Sequence, residues 1–214
     1  MENYEKETIA AIATALSDSG IGIVRISGEN AIYIVDSIFR SASGKKILTK
    51  VQSHMIHYGY IVDKDENIID EVMTSVMKAP KSYTMEDTVE INCHGGVLVM
   101  QKVLETVLQA GARLAEPGEF TKRAFLNGRI DLSRAEAVID VIHSQNEYAL
   151  SSSVSQLKGR LSDKIRSLRE DILYQIAFIE SALDDPEHIS LEGYPEQLAE
   201  KVTGFEKEIQ KLLA

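Results

Sequence analysis

Hydrophobic and polar residues follow two different spacings along this chain of 214 residues. Up to about residue 110, short apolar runs are separated by turn-forming residues, and several runs alternate between apolar and polar positions, which is typical of β-strands. Beyond about residue 130, apolar residues recur every three or four positions, which is typical of α-helices. The pattern therefore predicts a sheet-containing first part and an all-helical second part.

The first part predicts a mixed sheet with helices packed on it. A polar segment at 63–67 separates two apolar runs and predicts a hairpin, and the polar stretch from Ser41 to Lys46 is predicted to be a loop. We expect an α+β fold for this part. The predicted strands are Ile9–Thr14, Ile21–Ile26, Met55–Val62, Ile68–Met77 and Glu86–Cys93, and the predicted helices begin at Ala31 and Val97.

The segment from Gly111 to Asp140 marks the change between the two parts. Pro117-Gly118 opens a short helix and Asn127-Gly128 closes it, because Gly and Asn tolerate positive φ. The spacing of Ser133-Arg-Ala-Glu136 matches a capping box, which predicts that the next helix starts there.

The helical part predicts one long helix. From Leu150 onward the apolar steps alternate between four and three residues, the pattern of a nearly straight helix. If it is unbroken to Asp184, it covers about 35 residues, or about 50 Å at 1.5 Å per residue. Pro195 opens another helix, whose apolar pattern is still running where the sequence stops, so we expect partner helices beyond it. The predicted domains are residues 1–118 and 119–214.

Composition narrows the class of protein. With 44% hydrophobic and 26% charged residues, and no run near the ~20 apolar residues of a membrane span, we expect a cytoplasmic protein without a membrane anchor. The formal net charge of −10 argues against this chain alone clamping nucleic acid, because such binding depends on clustered cations. The single cysteine, Cys93, excludes an intramolecular disulfide, and its apolar surroundings indicate packing.

Three charged residues lie where a strand or a tight connection would present them. Arg25 sits in an apolar strand, so it either reaches solvent or a nearby carboxylate, or binds an anion. Glu90 shares a strand face with Thr88 and Asn92; such a face is either solvated or able to accept paired N–H groups of a ligand. Arg129 stands on the connection between two helices, where functional side chains are often presented.

Other chemical motifs are weak. His94-Gly95-Gly96 precedes a predicted helix and could admit an anion through backbone N–H groups, but the pattern favours a tight strand-to-helix turn. His54 and His57 fall on opposite faces of an extended chain and are not expected to share a metal ion. We assign no catalytic residue and no metal ligand.

Four blocks of the sequence stand out: Gly20 to Gly28, Ala79 to Asp87, Glu90 to Gly96, and Pro117 to Ala137. Together they resemble the N-terminal part of the tRNA-modification GTPases of the MnmE or TrmE family. The resemblance spans nearly all of residues 7–185, and the block PGEFT, RAFLN, DL, AEA is highly specific. It implies an N-terminal domain related to the folate-binding domain of aminomethyltransferases, which dimerises and binds 5-formyl- or 5,10-methylene-tetrahydrofolate.

The resemblance also implies functions that this stretch of sequence cannot perform alone. In the family, a GTPase domain that uses GTP, magnesium and potassium interrupts the helical domain. The present sequence contains no G-x-x-x-x-G-K-[ST] phosphate loop, so residues 1–214 are expected not to hydrolyse GTP. The full-length protein would act with an FAD-dependent partner to add an aminomethyl-type group to the wobble uridine of tRNA.

Carried over residue by residue, the family's folate contacts fall on Arg25, Glu90 and Arg129. A carboxylate suits the adjacent N–H donors of a pterin, and a guanidinium suits the carboxylates of the benzoyl-glutamate tail. Arg25 and Arg129 should therefore lie near each other. A separation of more than roughly 15 Å, with the two facing opposite sides, would exclude one shared ligand.

The sequence departs from the family pattern at three places. Arg129 stands where the family commonly has lysine, and Ala15 to Asp18 replaces a Pro-Pro-Gly-Arg type of turn. Met85 replaces a glycine, and we expect this to force the loop away from positive φ, since that conformation costs a non-glycine residue roughly 1 kcal/mol or more.

Two other interpretations remain. The chain could be an assembly module whose folate site has been lost, with dimerisation and a helical stalk retained. It could also be a free-standing folate aminomethyltransferase, although the long helical pattern and the RAFLN to AEA block disfavour this.

Overall fold

A computed structural model describes residues 7–42 and 48–213 of the chain. The chain divides into two compact units between Ile130 and Asp131. The predicted loop from Ser41 to Lys46 lies mostly outside the described residues. The expected α+β unit followed by a helical unit is confirmed.

A seven-stranded mixed sheet forms the centre of the first unit. Its strand order is β3-β4-β5-β6-β2-β1-β7, and every neighbouring pair is antiparallel except β1 with β7. The predicted strands are confirmed, with small differences at their ends. The strands are β1 Ile9–Ile12, β2 Ser19–Ser27, β3 Phe39–Ser41, β4 Met55–Val62, β5 Ile68–Met77, β6 Thr88–Gly95 and β7 Arg113–Leu114.

One face of the sheet forms the hydrophobic core with helices α1 (Ala31–Ile38) and α2 (Val97–Gln109). Strand alternation sends Val24 of β2 and both Val89 and Ile91 of β6 to this face, and all three are fully buried. Each such aliphatic side chain stabilises the fold by about 1.5–3 kcal/mol relative to exposure. The polar residues of the same strands are thereby directed to the opposite face.

The short helix α3 (Glu119–Leu126) belongs to the first unit. Its buried Glu119 accepts hydrogen bonds from Arg113 Nη2 at 2.7 Å, Arg123 Nη2 at 3.0 Å and the Glu116 backbone N–H at 2.8 Å. These contacts tie the helix to the edge strand β7. The compact unit therefore ends after α3, whereas the sequence pattern put the domain boundary before it, at 118/119.

The second unit consists of helices, and the first begins at a different cap from the predicted one. Helix α4 starts at Leu132, and its N-cap is Asp131 rather than Ser133. The Asp131 carboxylate accepts the Arg134 backbone N–H at 2.9 Å and the hydroxyls of Ser133 at 2.8 Å and Ser162 at 2.6 Å. The predicted capping box is therefore wrong, because Ser133 donates to the true cap. The helices are α4 Leu132–His143, α5 Glu147–Leu157, α6 Arg160–Asp184 and α7 Tyr194–Leu213.

The predicted single long helix is also wrong, because the chain breaks between α5 and α6. Gly159 has a φ of +84°, a left-handed conformation that ends one helix before the next begins. A Cβ added at Gly159 would lie 1.8 Å from Nη2 of Arg134, so the Arg134 side chain, which comes from α4, fills the space at the break. Within the described residues, no helix is both long and apolar enough to cross a membrane.

Replacing Gly159 by alanine should destabilise the second unit. The left-handed backbone costs an L-residue roughly 1–2 kcal/mol, and the new Cβ would also displace Arg134. The matched control is Gly204→Ala inside α7, where a Cβ meets nothing within 4 Å and should stabilise by about 0.5–1 kcal/mol. Urea unfolding followed by circular dichroism measures both. A Gly159→Ala variant as stable as the parent would mean that the helix can run through the break.

Acid should weaken the first unit through Glu119. Burial alone would raise the pKa of this carboxyl group. Hydrogen bonds from Arg113, the Glu116 amide and Arg123 outweigh burial and lower the pKa from an ordinary value of 4.5 to about 2. A carboxyl group with a lowered folded-state pKa stabilises the fold above its unfolded pKa, and this contribution is lost as the pH falls from about 4.5 towards 2.

Hydrogen exchange of β2 and β6 amides between pH 2.5 and 6 can measure this loss. Glu119→Gln should be less stable than the parent at pH 6 and should lose less stability on acidification. Thr106→Ala, which removes a buried hydroxyl but no ionisable group, should lower stability equally at every pH. Parallel pH curves for the parent and Glu119→Gln would contradict the expected role of Glu119.

Candidate functional site

The sheet register brings Arg25 and Glu90 together. Arg25 in β2 lies directly opposite Glu90 in β6, and Nε of Arg25 donates to Oε1 of Glu90 at 2.7 Å. Both side chains are partly exposed, at 31% and 23%, on the face opposite the helices. Of the alternatives left open by the sequence, Arg25 thus pairs with a nearby carboxylate. This salt bridge uses only one edge of each group.

Arg129 reaches the same place through an aromatic ring. The guanidinium carbons of Arg25 and Arg129 lie 5.9 Å and 4.8 Å from the centroid of the Tyr83 ring, and Nη1 of Arg129 donates to the Tyr83 carbonyl at 3.3 Å. Their separation cannot exceed the sum of those two distances, which is well below the roughly 15 Å limit for one shared ligand. The Phe120 ring lies 5.7 Å from the Arg25 guanidinium. The two predicted arginines therefore lie beside one aromatic ring, and Glu90 joins them through its salt bridge with Arg25.

The sequence analysis gave no role to Tyr83 and Phe120, although both lie in the blocks that carry the family resemblance. Contacts between a guanidinium and an aromatic face are worth about 0.5–1 kcal/mol where exposed and more where water is excluded. A loop residue and a helix residue far apart in sequence form these contacts, so strand alternation and helical spacing could not predict them.

Helix α3 holds the loop that carries Tyr83. The Tyr83 hydroxyl lies 3.0 Å from Oγ1 of Thr121, and Nδ2 of Asn127 donates to the Thr84 carbonyl at 2.7 Å. Buried Arg123 donates through Nη1 to the Glu86 carboxylate, at 3.1 Å to Oε2. The PGEFT to RAFLN block is therefore the part of the chain that fixes the loop beside the site.

Met85 adopts the conformation that the sequence analysis expected it to prevent. Its φ is +62°, so the loop keeps a left-handed backbone without a glycine. Neighbouring hydrogen bonds hold it there: Oγ1 of buried Thr84 lies 2.6 Å from the Ser27 hydroxyl and accepts the Glu86 backbone N–H at 3.3 Å. The expected movement of the loop is therefore wrong, because these contacts offset the local strain.

The charge at the site is positive although the chain is acidic. Among the described residues, Glu90 is the only acidic side chain ion-paired with either Arg25 or Arg129. Two guanidinium groups and one carboxylate leave one net positive charge, against a formal net charge of −10 for the whole chain. The arrangement can accept an anionic group while Glu90 accepts a donor from the same molecule.

A second polar group on this sheet face involves His94. Asp70 accepts the His94 backbone N–H at 2.8 Å and lies 2.7 Å from its ring Nδ1, and this hydrogen bond raises the pKa of His94. His94 borders a cavity of about 350 Å³ whose side chains are both apolar and polar. The other lining residues are Gly20, Ile21, Tyr58, Glu71, Val72, Met73, Asn92 and Cys93.

The remaining candidates are structural. Cys93 is buried, its Sγ donates to the Gly22 carbonyl at 3.4 Å, and burial raises the pKa of the thiol to about 11, so it is not a thiolate nucleophile near neutral pH. In residues 7–42 and 48–213, no group of three or more His, Cys, Asp or Glu side chains is placed to hold a metal ion.

Comparison with known proteins agrees with the division of the chain. Residues 8–129 match the family model for the GTP-binding protein TrmE N-terminus, and residues 132–214 match the model for the MnmE helical domain. The chain is 61% identical over 207 residues to a tRNA modification GTPase MnmE from Lachnoclostridium phytofermentans, covering 97% of this chain and 45% of that protein.

Two further relatives of the same name come from Bacillus subtilis, at 51% identity over 209 residues, and Geobacillus kaustophilus, at 53% over 212 residues. These alignments cover 97% and 98% of this chain, but only 45% and 46% of the relatives, so the chain spans about half their length. Since the TrmE model alone matches more than half of the chain, the chain belongs to the MnmE, or TrmE, family of tRNA modification GTPases.

Proposed function

We propose that the first unit binds a tetrahydrofolate, as its 5-formyl or 5,10-methylene form, through Arg25, Glu90 and Arg129. The observation that supports this most is that two guanidinium groups lie beside the Tyr83 ring and one of them, Arg25, pairs with the Glu90 carboxylate. The unit would hold a one-carbon donor. The whole protein, with an FAD-dependent partner, would then add an aminomethyl-type group to the wobble uridine of tRNA.

The chemistry of a folate matches the groups at this site. Glu90 uses Oε1 for Arg25, and its Oε2 can accept the adjacent N–H groups of a pterin ring. The carboxylates of the benzoyl-glutamate tail complement the guanidinium of Arg129 and the free edge of Arg25. Tyr83 supplies aromatic surface beside both guanidinium groups, and Phe120 supplies it beside Arg25. The net positive charge of the site also suits a dianionic ligand.

GTP hydrolysis belongs, in this proposal, to the whole protein. Residues 1–214 contain no G-x-x-x-x-G-K-[ST] pattern, so GTP, magnesium and potassium would bind elsewhere and these residues alone would not hydrolyse GTP. The relatives' name as GTPases supports the activity for the family. We propose a cytoplasmic location, where tRNA is available.

We also propose that the first unit forms a homodimer through the sheet face that carries the site. Ile56, Tyr58 and Met73 are 65%, 52% and 47% exposed on β4 and β5. The strand register places Ile56 in the same cross-strand row as Glu90, on the face opposite the helices. Exposed apolar side chains grouped on one face are typical of interaction surfaces. A second copy on this face would also cover the open side of the site.

One observation favours the alternative of an assembly module without folate. Arg25 and Glu90 already satisfy each other in a direct salt bridge, which a structural role alone could explain. In that case the family's dimerisation would remain while ligand binding would be absent. The free-standing aminomethyltransferase is not supported, because residues 132–214 match the MnmE helical domain.

Calorimetry with 5-formyltetrahydrofolate should separate the two. We expect binding that disappears in Glu90→Ala and weakens in Arg25→Ala by roughly 10- to 150-fold, since a hydrogen bond to a charged group contributes about 1.5–3 kcal/mol. Arg40→Ala is the control, because Arg40 lies on edge strand β3, away from the site, and pairs with Glu66. A folded parent protein that releases no heat at high micromolar ligand would support the assembly module instead.

Sedimentation velocity tests the dimer independently of folate. The parent should sediment as a dimer, and Tyr58→Arg should sediment as a monomer, because a charge would be buried without a partner at the interface. The matched control is Tyr33→Arg on α1, which is 66% exposed on the helical side of the sheet and should leave the dimer intact. A monomeric parent at micromolar concentration would contradict the proposed interface.

A further inference from the structure

The backbone of the Tyr83 loop is held from one side by residues that close α3. The carbonyls of two consecutive loop residues, Tyr83 and Thr84, accept hydrogen bonds from Arg129 and Asn127 respectively. The Tyr83 hydroxyl lies 3.0 Å from Oγ1 of Thr121 in the same helix. Residues in α3 and just after it therefore hold Tyr83 both at its main-chain carbonyl and at its phenol hydroxyl.

The ring position in turn sets the distance between the two cations. Arg129 covers the Tyr83 ring and also donates to its carbonyl, while Arg25 lies beside the same ring. A shift of Tyr83 would therefore move Arg129 relative to Arg25 and Glu90. Binding groups that are displaced by about 1 Å from their best geometry can lose much of their contribution to ligand affinity.

From these contacts we infer that Asn127 and Thr121 are positioning residues for the ligand of the Arg25, Glu90 and Arg129 site. This inference rests on the proposed function. Buried Arg123 docks α3 on the rest of the first unit without either residue, because it donates to Glu86 and to the Glu7 carbonyl. Loss of the Asn127 amide or the Thr121 hydroxyl would therefore leave α3 in place and release the loop.

Once released, the loop should move in one defined direction, because its backbone is strained at Met85. A φ of +62° is unfavourable for methionine, and Met85 keeps it while its neighbours are fixed. Thr84 Oγ1 stays bonded to Ser27 on the strand side, so Tyr83, which faces α3, is the residue expected to shift. Affinity should thus fall in variants whose fold is preserved.

The test uses Asn127→Ala and Thr121→Val, with Thr121→Ser as the conservative variant that keeps the hydroxyl. Leu126→Ala is the control on the same helix, since Leu126 is 53% exposed. Calorimetry with 5-formyltetrahydrofolate should show roughly tenfold weaker binding for Asn127→Ala and Thr121→Val, and parent-like binding for Thr121→Ser and Leu126→Ala. Thermal unfolding verifies that each variant is folded.

Fluorine NMR of protein labelled with 3-fluorotyrosine reports the mechanism. The chain has eight tyrosines, and Tyr83→Phe assigns the resonance of Tyr83. That resonance should shift or broaden in Asn127→Ala and Thr121→Val, while those of the other tyrosines stay unchanged. A merely structural role would lower thermal stability without this selective change.

The outcomes separate this inference from the proposed function. If the parent binds and Asn127→Ala binds equally well, only the positioning role is overturned. If Asn127→Ala binds more weakly while the Tyr83 resonance is unchanged, the positioning role is also overturned, because Asn127 then acts in another way. A folded parent that does not bind 5-formyltetrahydrofolate overturns the proposed function and this inference together.

Discussion

The antiparallel pairing of β2 with β6 is the constraint on which the site depends. It places Arg25 directly opposite Glu90, although 65 residues separate them in the sequence. The same register sends Val24 and Ile91 into the core, so the two charged side chains must share the other face. A slip of one residue in either strand would turn the charged side chain of that strand towards the core and its core residues outward. Core packing and site geometry are therefore fixed by one set of hydrogen bonds.

Buried ion pairs extend this constraint from the sheet to the loop. Arg123 is only 6% exposed, and its three acceptors lie on the N-terminal segment, the loop and α3 itself. A guanidinium can serve several acceptors in fixed directions, which a lysine cannot do. Removing one partner would leave a buried charge unsatisfied, so the segments are held in a single arrangement. The Tyr83 loop is thus positioned by electrostatics rather than by apolar packing.

Sequence patterns predicted the elements where one face is buried and failed where a single contact decides. Alternation identified β6 and the outward direction of Glu90 because the core face imposes it. In the helical part, the three- and four-residue spacing of apolar residues continues across Gly159, so it gives no sign of the helix break. A glycine beside Arg134 determines that break. The cap at Asp131 was missed because Ser133 fits the same local motif. The role of Tyr83 could not be predicted, because it depends on the conformation of a loop, and loops have no regular spacing of apolar residues.

The family resemblance implies a lysine at position 129, and the arginine that stands there suits its surroundings. A flat guanidinium can lie over the Tyr83 ring and donate to the Tyr83 carbonyl at the same time, as it does here. An ammonium group could reach the carbonyl but would cover less of the ring, and its stronger hydration would favour solvent. The guanidinium of Arg129 therefore links the connection after α3 to the loop. The cation remains available at the edge of the site, where an anionic ligand would meet it.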